Sequence, residues 1–141
     1  MSCRSHHAAR QEQFAETPLQ GSAHVSLVKS VVDGTVSRIF DVAVTDLALT
    51  RRGTAEIAFA RQVAMYLTHV AGGLSLSEVG RIFNRDRTTV AYACLIIEDR
   101  RDDPRLDRAL EMIEAILKRV APPSSLELIE RRRSFQQRSV A

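Results

Sequence analysis

The sequence predicts an all-α fold, a compact helical bundle that contains a helix-turn-helix. Apolar residues recur with the 3.6-residue period of a helix in several separate stretches, and no stretch alternates as a half-buried strand would. Start and stop signals for helices stand between these stretches: Ser75 with Glu78, the pair Gly72-Gly73, and Asp103 before Pro104. The 141 residues suffice for one domain, and a hydrophobic fraction of 45% supports a real core.

The chain divides by composition into residues 1–23, 24–121 and 122–141. Residues 1–23 mix Ser, His, Gln and Glu with one proline and one glycine, which is typical of a flexible polar tail. Residues 24–121 contain all the long periodic stretches and form the predicted domain. Residues 122–141 form a basic C-terminal tail, in which a short helix is the alternative to an irregular segment. Its run Arg131–Arg133 fits a solvated face, extra phosphate contacts or a protein partner, so this segment is also the candidate for self-association.

The first helix of the domain is predicted by an apolar stripe at helical spacing. This stripe consists of Val28, Val31, Val32, Val36, Ile39 and Phe40. Gly34 lies within it and weakens the helix by about 1 kcal/mol relative to alanine. Residues 41–45 read as a turn, and a short helical piece follows. Residues 49–53 then read as a basic loop that carries Arg51 and Arg52.

The next helix is predicted to be the buried centre of the bundle. Thr54 is a good N-cap for it, and Gly72-Gly73 ends it near Ala71. Apolar side chains lie almost all round this helix, as expected when other helices cover every side. Arg61 and Gln62 are its polar exceptions. By the residue pattern alone, they are interpreted as a surface patch on a core helix.

Residues 75–97 read as helix, tight turn, helix. Ser75 and Glu78 have capping-box spacing before a first helix of about residues 76–83, and Asn84 can take the left-handed conformation that ends a helix. Asp86 is predicted to cap the second helix by accepting the amide of Thr88 or Thr89. The buried stripe of that helix is predicted to be Val90, Cys94 and Ile97, and its exposed residues are predicted to be Arg87, Thr88, Ala91 and Tyr92. An exposed first turn with one arginine and two threonines suits the DNA major groove, although a plain helical hairpin with a polar face fits the pattern as well.

A final helix is predicted to close the core. Asp103 as a cap and Pro104 at the first helical position form its start signal, and Pro122 stops it. One apolar face runs along it through Leu106, Leu110, Ile113, Leu117 and Val120.

Charge is distributed unevenly along the chain. The net charge is +3 and the isoelectric point is about 9.3. Arg81, Arg85 and Arg87 gather at the turn of the predicted helix-turn-helix, whereas residues 98–114 carry seven acidic side chains. This polarity would orient the domain on a polyanion.

Several function classes are disfavoured by the sequence. We expect no enzyme, because Cys94 is predicted to be buried and has no histidine near it in sequence. We expect no metal site, because the adjacent His6 and His7 lack a ligand cluster. Two distant cysteines form no disulfide framework, and no apolar run reaches the roughly 18 residues of a membrane span, so a cytoplasmic protein that does not contact membranes is expected.

Residues 81–93, RIFNRDRTTVAYA, resemble the signature of the C-terminal DNA-binding domain (domain IV) of the bacterial replication initiator DnaA, a helix-turn-helix of the Trp-repressor-like type. The matching positions are Gly80, Phe83, Arg85, Asp86, Thr88, Thr89 and Val90. Residues 60–67, ARQVAMYL, are similar to the family's Arg-Gln-x-Ala-Met-x-Leu helix. The resemblance covers roughly residues 27–117. Its departure is Arg87, which stands where the family has histidine.

The resemblance implies a helical bundle that binds a short asymmetric duplex box. The recognition helix would enter the major groove, and the basic loop would touch the adjacent minor groove. The residues implied to read bases are Arg87, Thr88 and Thr89. Those implied to contact the backbone or the minor groove are Arg51, Arg52, Arg61, Gln62 and Arg85. The loop has fewer basic residues than the family's, since Gly53, Ala55 and Phe59 stand where basic residues are frequent.

The function expected is sequence-specific binding of double-stranded DNA by a nucleoid-associated protein. It would regulate transcription, or modulate replication initiation, at sites like the DnaA box. No Walker-type glycine-rich loop occurs, so no nucleotide cofactor and no ATPase activity are expected. The alternative is a protein-interaction module that keeps the fold without tight DNA binding.

Overall fold

The computed structural model describes residues 17–49 and 53–122, with side chains from residue 23 onward. These residues form six α-helices joined by turns and contain no strand, which confirms the all-α prediction. In chain order the helices are α1 Thr17–Phe40, α2 Val44–Ala48, α3 Ala55–Val70, α4 Leu76–Phe83, α5 Arg87–Arg100 and α6 Pro104–Val120.

Helix α1 begins earlier than the apolar stripe indicates. It starts at Thr17, so it crosses the boundary expected after residue 23, and the residues before Thr17 lie outside the described part of the chain. Pro18 lies in its first turn, where a proline removes no helical hydrogen bond. The helix ends at Asp41, which takes the left-handed conformation at φ 52°. There the amide of Val42 donates to the Ser37 carbonyl at 3.1 Å.

The core is built around α3, as predicted. Val63, Ala64 and Leu67 are fully buried, and α1, α4 and α5 all pack against this helix. Valines of α1 spaced four residues apart, Val28, Val32 and Val36, supply one wall of the core. A fully buried Val, Leu or Ile side chain contributes about 1.5 to 3 kcal/mol relative to an exposed one, so this continuous cluster is the main stabilising feature.

Helix α6 closes the core by packing against α1 and α3. The Asp103 side chain accepts the Arg105 amide at 2.9 Å and Pro104 takes the first helical position, which confirms the predicted start signal. Leu110, Ile113 and Leu117 are fully buried. None of the helices in the described part of the chain is both long enough and apolar enough to cross a membrane.

Candidate nucleic-acid interface

Local capping fixes where α4 begins and ends. The Ser75 hydroxyl accepts the Glu78 amide at 3.2 Å, and the Glu78 carboxylate accepts the Ser75 amide at 2.8 Å. This is the predicted capping box. Asn84 ends the helix at φ 52° and ψ 51°, which confirms the left-handed conformation expected of it. Helix α4 therefore has the limits that the sequence predicted.

The turn between α4 and α5 packs tightly against Gly80. The Arg85 amide donates to the Gly80 carbonyl at 2.8 Å. A Cβ placed on Gly80 would lie 2.6 Å from the carbonyl oxygen of Arg85, which is too close for any other residue without a backbone shift. Glycine at this position lets the two helices meet at a short turn, and the turn sets how α5 projects from the domain.

The inner side of α5 differs by one residue from the predicted stripe. Val90 and Ile97 are fully buried as expected, but Ala93, at 1% exposure, is the third buried residue, and Cys94 is only partly buried. Burial nevertheless raises the pKa of the Cys94 thiol to about 11, with a further contribution from the negative charge of Glu98. The thiol is therefore protonated near neutral pH and is a poor nucleophile.

The outer side of α5 exposes the residues expected to read bases. Arg87, Thr88 and Thr89 are all exposed, as is Tyr92 one turn later, while Ala91 is partly buried. The first turn of α5 contains no acidic residue and begins with Arg87. A cation at a helix N-terminus opposes the helix dipole, an effect of about 0.3 to 1 kcal/mol. The other long helices that follow α1 carry Glu56, Glu78 or Asp107 in that turn.

The prediction that the Asp86 side chain caps α5 is wrong. Asp86 occupies the N-cap position with φ −66° and ψ 149°, but its side chain makes no capping hydrogen bond to the amides of Thr88 or Thr89. The N-cap is defined by its backbone angles, and these do not require the side-chain bond. The exposed Asp86 carboxylate and the first amides of α5 are therefore both left to face a ligand.

The helix-turn-helix has a concave surface, which encloses an open cavity of about 510 Å³. Its lining residues come from α4, the turn and the start of α5: Ser77, Gly80, Arg81, Asn84, Arg85, Asp86, Arg87 and Thr89. Three arginines face one carboxylate there, so the surface carries a net positive charge. Positive charge concentrated at a helix N-terminus favours a phosphate-bearing partner.

Arg61 departs from the expectation that it faces solvent or phosphates. Only 6% of it is exposed. Its Nη2 donates to the Asp46 carbonyl at 2.8 Å and its Nε to the Leu47 carbonyl at 3.2 Å. Burial lowers the pKa of Arg61, and the nearby positive charge of Arg85 lowers it further, while Asp46 opposes this. The guanidinium thus holds the C-terminal end of α2 against α3.

The other residues expected to contact DNA differ in their exposure. Gln62 and Arg85 are partly buried, and Arg85 lines the concave surface. Arg51 and Arg52 lie outside the described residues. Phe59, which stands where the family often has a basic residue, is partly buried. Its ring meets the Phe40 ring edge-to-face at 5.9 Å, so this position strengthens the core instead of the basic loop.

A polar cluster behind α5 was not predicted from the sequence. The Tyr66 hydroxyl donates to Glu98 at 2.6 Å and accepts from Arg101 at 2.9 Å. Arg101 also binds Asp107 at 2.6 Å and Glu114 at 2.9 Å. The cluster ties α3, the end of α5 and α6 together. Tyr66 lies 32 residues before Glu98 and 35 before Arg101, so periodicity and spacing carried no signal that these side chains meet. Arg61 did have a signal, since it is the one arginine in a helix that is apolar almost all round.

Comparison with known proteins identifies the domain. Residues 30–97 match the model of the bacterial DnaA protein helix-turn-helix family, a span that runs from α1 to α5 and includes the whole concave surface. Residues 30–97 are a DnaA-type helix-turn-helix domain. The match supports double-stranded DNA binding by this DnaA-type domain.

Curated relatives agree with the match. The chain is similar to chromosomal replication initiator proteins DnaA from Desulfotalea psychrophila, at 33% identity over 67% of this chain and 20% of the relative, and from Mesorhizobium japonicum, at 43% identity over 58% and 17%. The DnaA of Burkholderia multivorans is 38% identical over 62% of this chain and 17% of its own length. The chain thus spans about a fifth of the length of these relatives.

Proposed function

We propose that this protein binds double-stranded DNA in a sequence-specific manner, with the start of α5 in the major groove. It regulates transcription or modulates replication initiation at sites related to the DnaA box, and it does so without ATPase activity. One observation carries the proposal. In a DnaA-type domain, the first turn of α5 exposes Arg87, Thr88 and Thr89 although a cation there is unfavourable for the helix. Residues that oppose local stability are expected at functional sites.

The base-reading residues have complementary chemistry. Arg87 can bind guanine O6 and N7 with two hydrogen bonds, while Thr88 and Thr89 offer hydroxyls and methyl groups that suit thymine and its neighbours. We add Asp86 to this proposed set, since its carboxylate is exposed and makes no capping hydrogen bond. A carboxylate in the major groove accepts a hydrogen bond from the cytosine amino group. Asp86 and Arg87 together would therefore recognise both strands of a step that contains G and C.

Other residues of the site fit the sugar-phosphate backbone. Arg85 and Arg81 line the concave surface beside the base-reading turn, and Gln62 lies on the neighbouring helix α3. Arg51 and Arg52 remain proposed contacts of the basic loop. Arg61 is left out of this set, since its guanidinium is buried and bound to α2. Such contacts set orientation and affinity and carry no sequence information by themselves.

Charge also sets which end of α5 approaches DNA. The start of the helix has Arg85 and Arg87 around it. At its last turn and the turn that follows, four carboxylates outnumber two arginines: Glu98, Asp99, Asp102 and Asp103 against Arg100 and Arg101. The acidic end is repelled by phosphates. The helix should therefore enter the groove by its first turn, with its acidic end held away from the phosphates.

A binding measurement at two salt concentrations tests the proposal. Fluorescence anisotropy of labelled DNA would measure the affinity of the protein for two kinds of duplex. One kind is selected for binding from random sequences, and the other is unrelated in sequence. We expect tight binding to the selected duplexes only, with log K falling against log salt at a slope of about −3 to −4. On a duplex that holds a single selected site, Arg87→Ala should weaken binding, whereas Arg108→Ala on α6 should not. Binding that is absent, or equal for all sequences, would favour the protein-interaction module instead.

A further inference from the structure

We propose that copies of this protein associate head to tail, through contact between an acidic face on α5 of one copy and a basic face on α6 of the next. The acidic face consists of Tyr92, Leu95 and Asp99. The basic face consists of Arg108, Met112, Ile116 and Arg119. The association is a property of the protein alone and does not require DNA.

The acidic face combines two exposed apolar side chains with one carboxylate, and no described part of the chain covers it. Tyr92 is 64% exposed and Leu95 is 68% exposed. Their spacing with Asp99 is i, i+3, i+7, so the three side chains lie on one stripe of α5. Asp99 forms no ion pair with any residue of the described ranges. Leu95 lies seven residues, or about 10 Å along the helix axis, beyond Thr88. Tyr92 lies one turn after Thr88 on the same side of α5, so the face begins beside the proposed base-reading turn and extends away from it.

The basic face has the same construction with the opposite charge. Met112 is 57% exposed and Ile116 is 36% exposed, and Arg108 and Arg119 flank them on the same stripe of α6. Neither arginine forms an ion pair within residues 23–49 and 53–122. The acidic residues Asp107 and Glu114 lie on another side of this helix, where Arg101 holds them. Glu111, three residues after Arg108, is exposed beside this stripe, so the face carries two arginines against one neighbouring carboxylate and keeps a net positive charge.

The two faces complement each other and cannot meet within one copy. Each points away from the shared core, since the opposite sides of α5 and α6 supply its buried residues. A contact between two acidic faces or two basic faces would bring like charges together, whereas contact between unlike faces pairs opposite charges around an apolar centre. The charge pattern therefore selects a heterologous contact. Such a contact leaves one free face at each end and extends into a chain unless the rotation closes a ring.

Small faces of this kind predict weak association. An interface of a few apolar side chains lies well below the standard size, so a dissociation constant in the high micromolar to millimolar range is expected in free solution. Copies bound at neighbouring DNA sites would have a much higher effective concentration. If the proposed function holds, binding at adjacent boxes should then be cooperative.

Sedimentation of the full chain without DNA tests the inference. Leu95→Arg damages only the acidic face, and Ile116→Glu damages only the basic face. Both side chains are exposed, and thermal melting would verify that each variant is folded. Val44→Glu, which alters an exposed apolar residue on α2, is the matched control. We expect the wild type and the control to gain average mass as their concentration rises toward about 1 mM, and each face variant to stay monomeric.

Mixing the two face variants gives the decisive outcome. Each retains one intact face, so the mixture should form a species of twice the monomer mass and nothing larger. A wild type that stays monomeric would overturn the inference. A face variant that associates as well as the wild type would also overturn it. A mixture in which no dimer forms would overturn it too, since the absence of a dimer there indicates a symmetric contact. If Leu95→Arg weakens DNA binding alone, the acidic face is a DNA contact and the inference also fails.

Discussion

The hydroxyl of Tyr66, in the centre of the core, donates a 2.6 Å hydrogen bond to the carboxylate of Glu98 near the end of α5. Tyr66 is 1% exposed. The bond joins the most buried helix to the helix proposed to read DNA. The direction of α5 is therefore fixed at both ends, by the turn at Gly80 and by the cluster of Tyr66, Glu98 and Arg101.

Tyr66→Phe should lower the free energy of unfolding by about 1 to 2 kcal/mol, because it removes a buried hydroxyl with two partners while keeping the ring. Urea denaturation measures this change. Tyr92→Phe is the matched control, since its hydroxyl belongs to an exposed residue, and it should change stability little. Equal stability of the wild type and Tyr66→Phe would show that the cluster does not stabilise the fold.

The same tyrosine predicts a loss of stability at alkaline pH. Burial and the hydrogen bond to Glu98 raise the pKa of Tyr66 from 10.0 to about 12. The folded protein therefore holds this proton more tightly than the unfolded chain. The stabilisation is complete below pH 10 and is lost as the pH rises from 10 to 12. In denaturation series across this range, the wild type should lose more stability than Tyr66→Phe, and parallel losses would contradict the assignment.

Arg61 should behave as a structural residue in DNA binding. Arg61→Ala removes two hydrogen bonds from a charged donor to α2, so we expect about 2 to 3 kcal/mol of lost stability. Arg61→Lys keeps the charge but loses the forked geometry, and should be nearly as unstable. At a temperature where the variants are folded, the salt slope of DNA binding should match the wild type. A slope smaller by about 0.9 would instead reveal a phosphate contact.

Asp86 should matter for recognition more than for stability. Because its side chain makes no capping bond, Asp86→Ala should change the free energy of unfolding by less than about 0.5 kcal/mol, whereas Ser75→Ala should lower it by about 1 kcal/mol. On selected duplexes, Asp86→Ala should reduce discrimination at one base pair. Equal destabilisation by the two substitutions would mean that Asp86 caps α5 in solution.

Two glycines should respond to alanine in opposite directions. At Gly80 a Cβ would lie 2.6 Å from the Arg85 carbonyl, so Gly80→Ala should destabilise the fold by about 1 to 3 kcal/mol and reorient α5. At Gly34, inside α1, a Cβ would meet nothing within 4 Å, so Gly34→Ala should stabilise by about 0.5 to 1 kcal/mol. Thermal melting of both variants checks the signs. A Gly80→Ala variant that is as stable as the wild type would refute the described turn, and a destabilised Gly34→Ala variant would refute the argument for α1.

Prediction from sequence succeeded where the deciding interactions are local. The capping box of Ser75 and Glu78 and the left-handed Asn84 involve neighbours within a few residues, so residue types at fixed spacing were sufficient. The role of Arg61 depends on carbonyls 14 and 15 residues away, and the Tyr66 cluster spans from α3 to α6. Such contacts follow from how helices pack. Asp86 shows that even a local pattern can place a residue correctly and still misassign its side chain.

Arg87 provides the most direct test of DNA reading by α5. Histidine, which the DnaA signature has here, offers one hydrogen bond and an uncertain charge near neutral pH, whereas arginine is always charged and can bind guanine O6 and N7 together. The measurement is selection of sites from random duplex DNA by the wild type and by Arg87→His. We predict related motifs that differ at one base pair, where the wild type prefers guanine by about 1 to 3 kcal/mol. An unchanged motif with lower overall affinity would show that Arg87 only contacts phosphate, and would contradict base reading at the start of this helix.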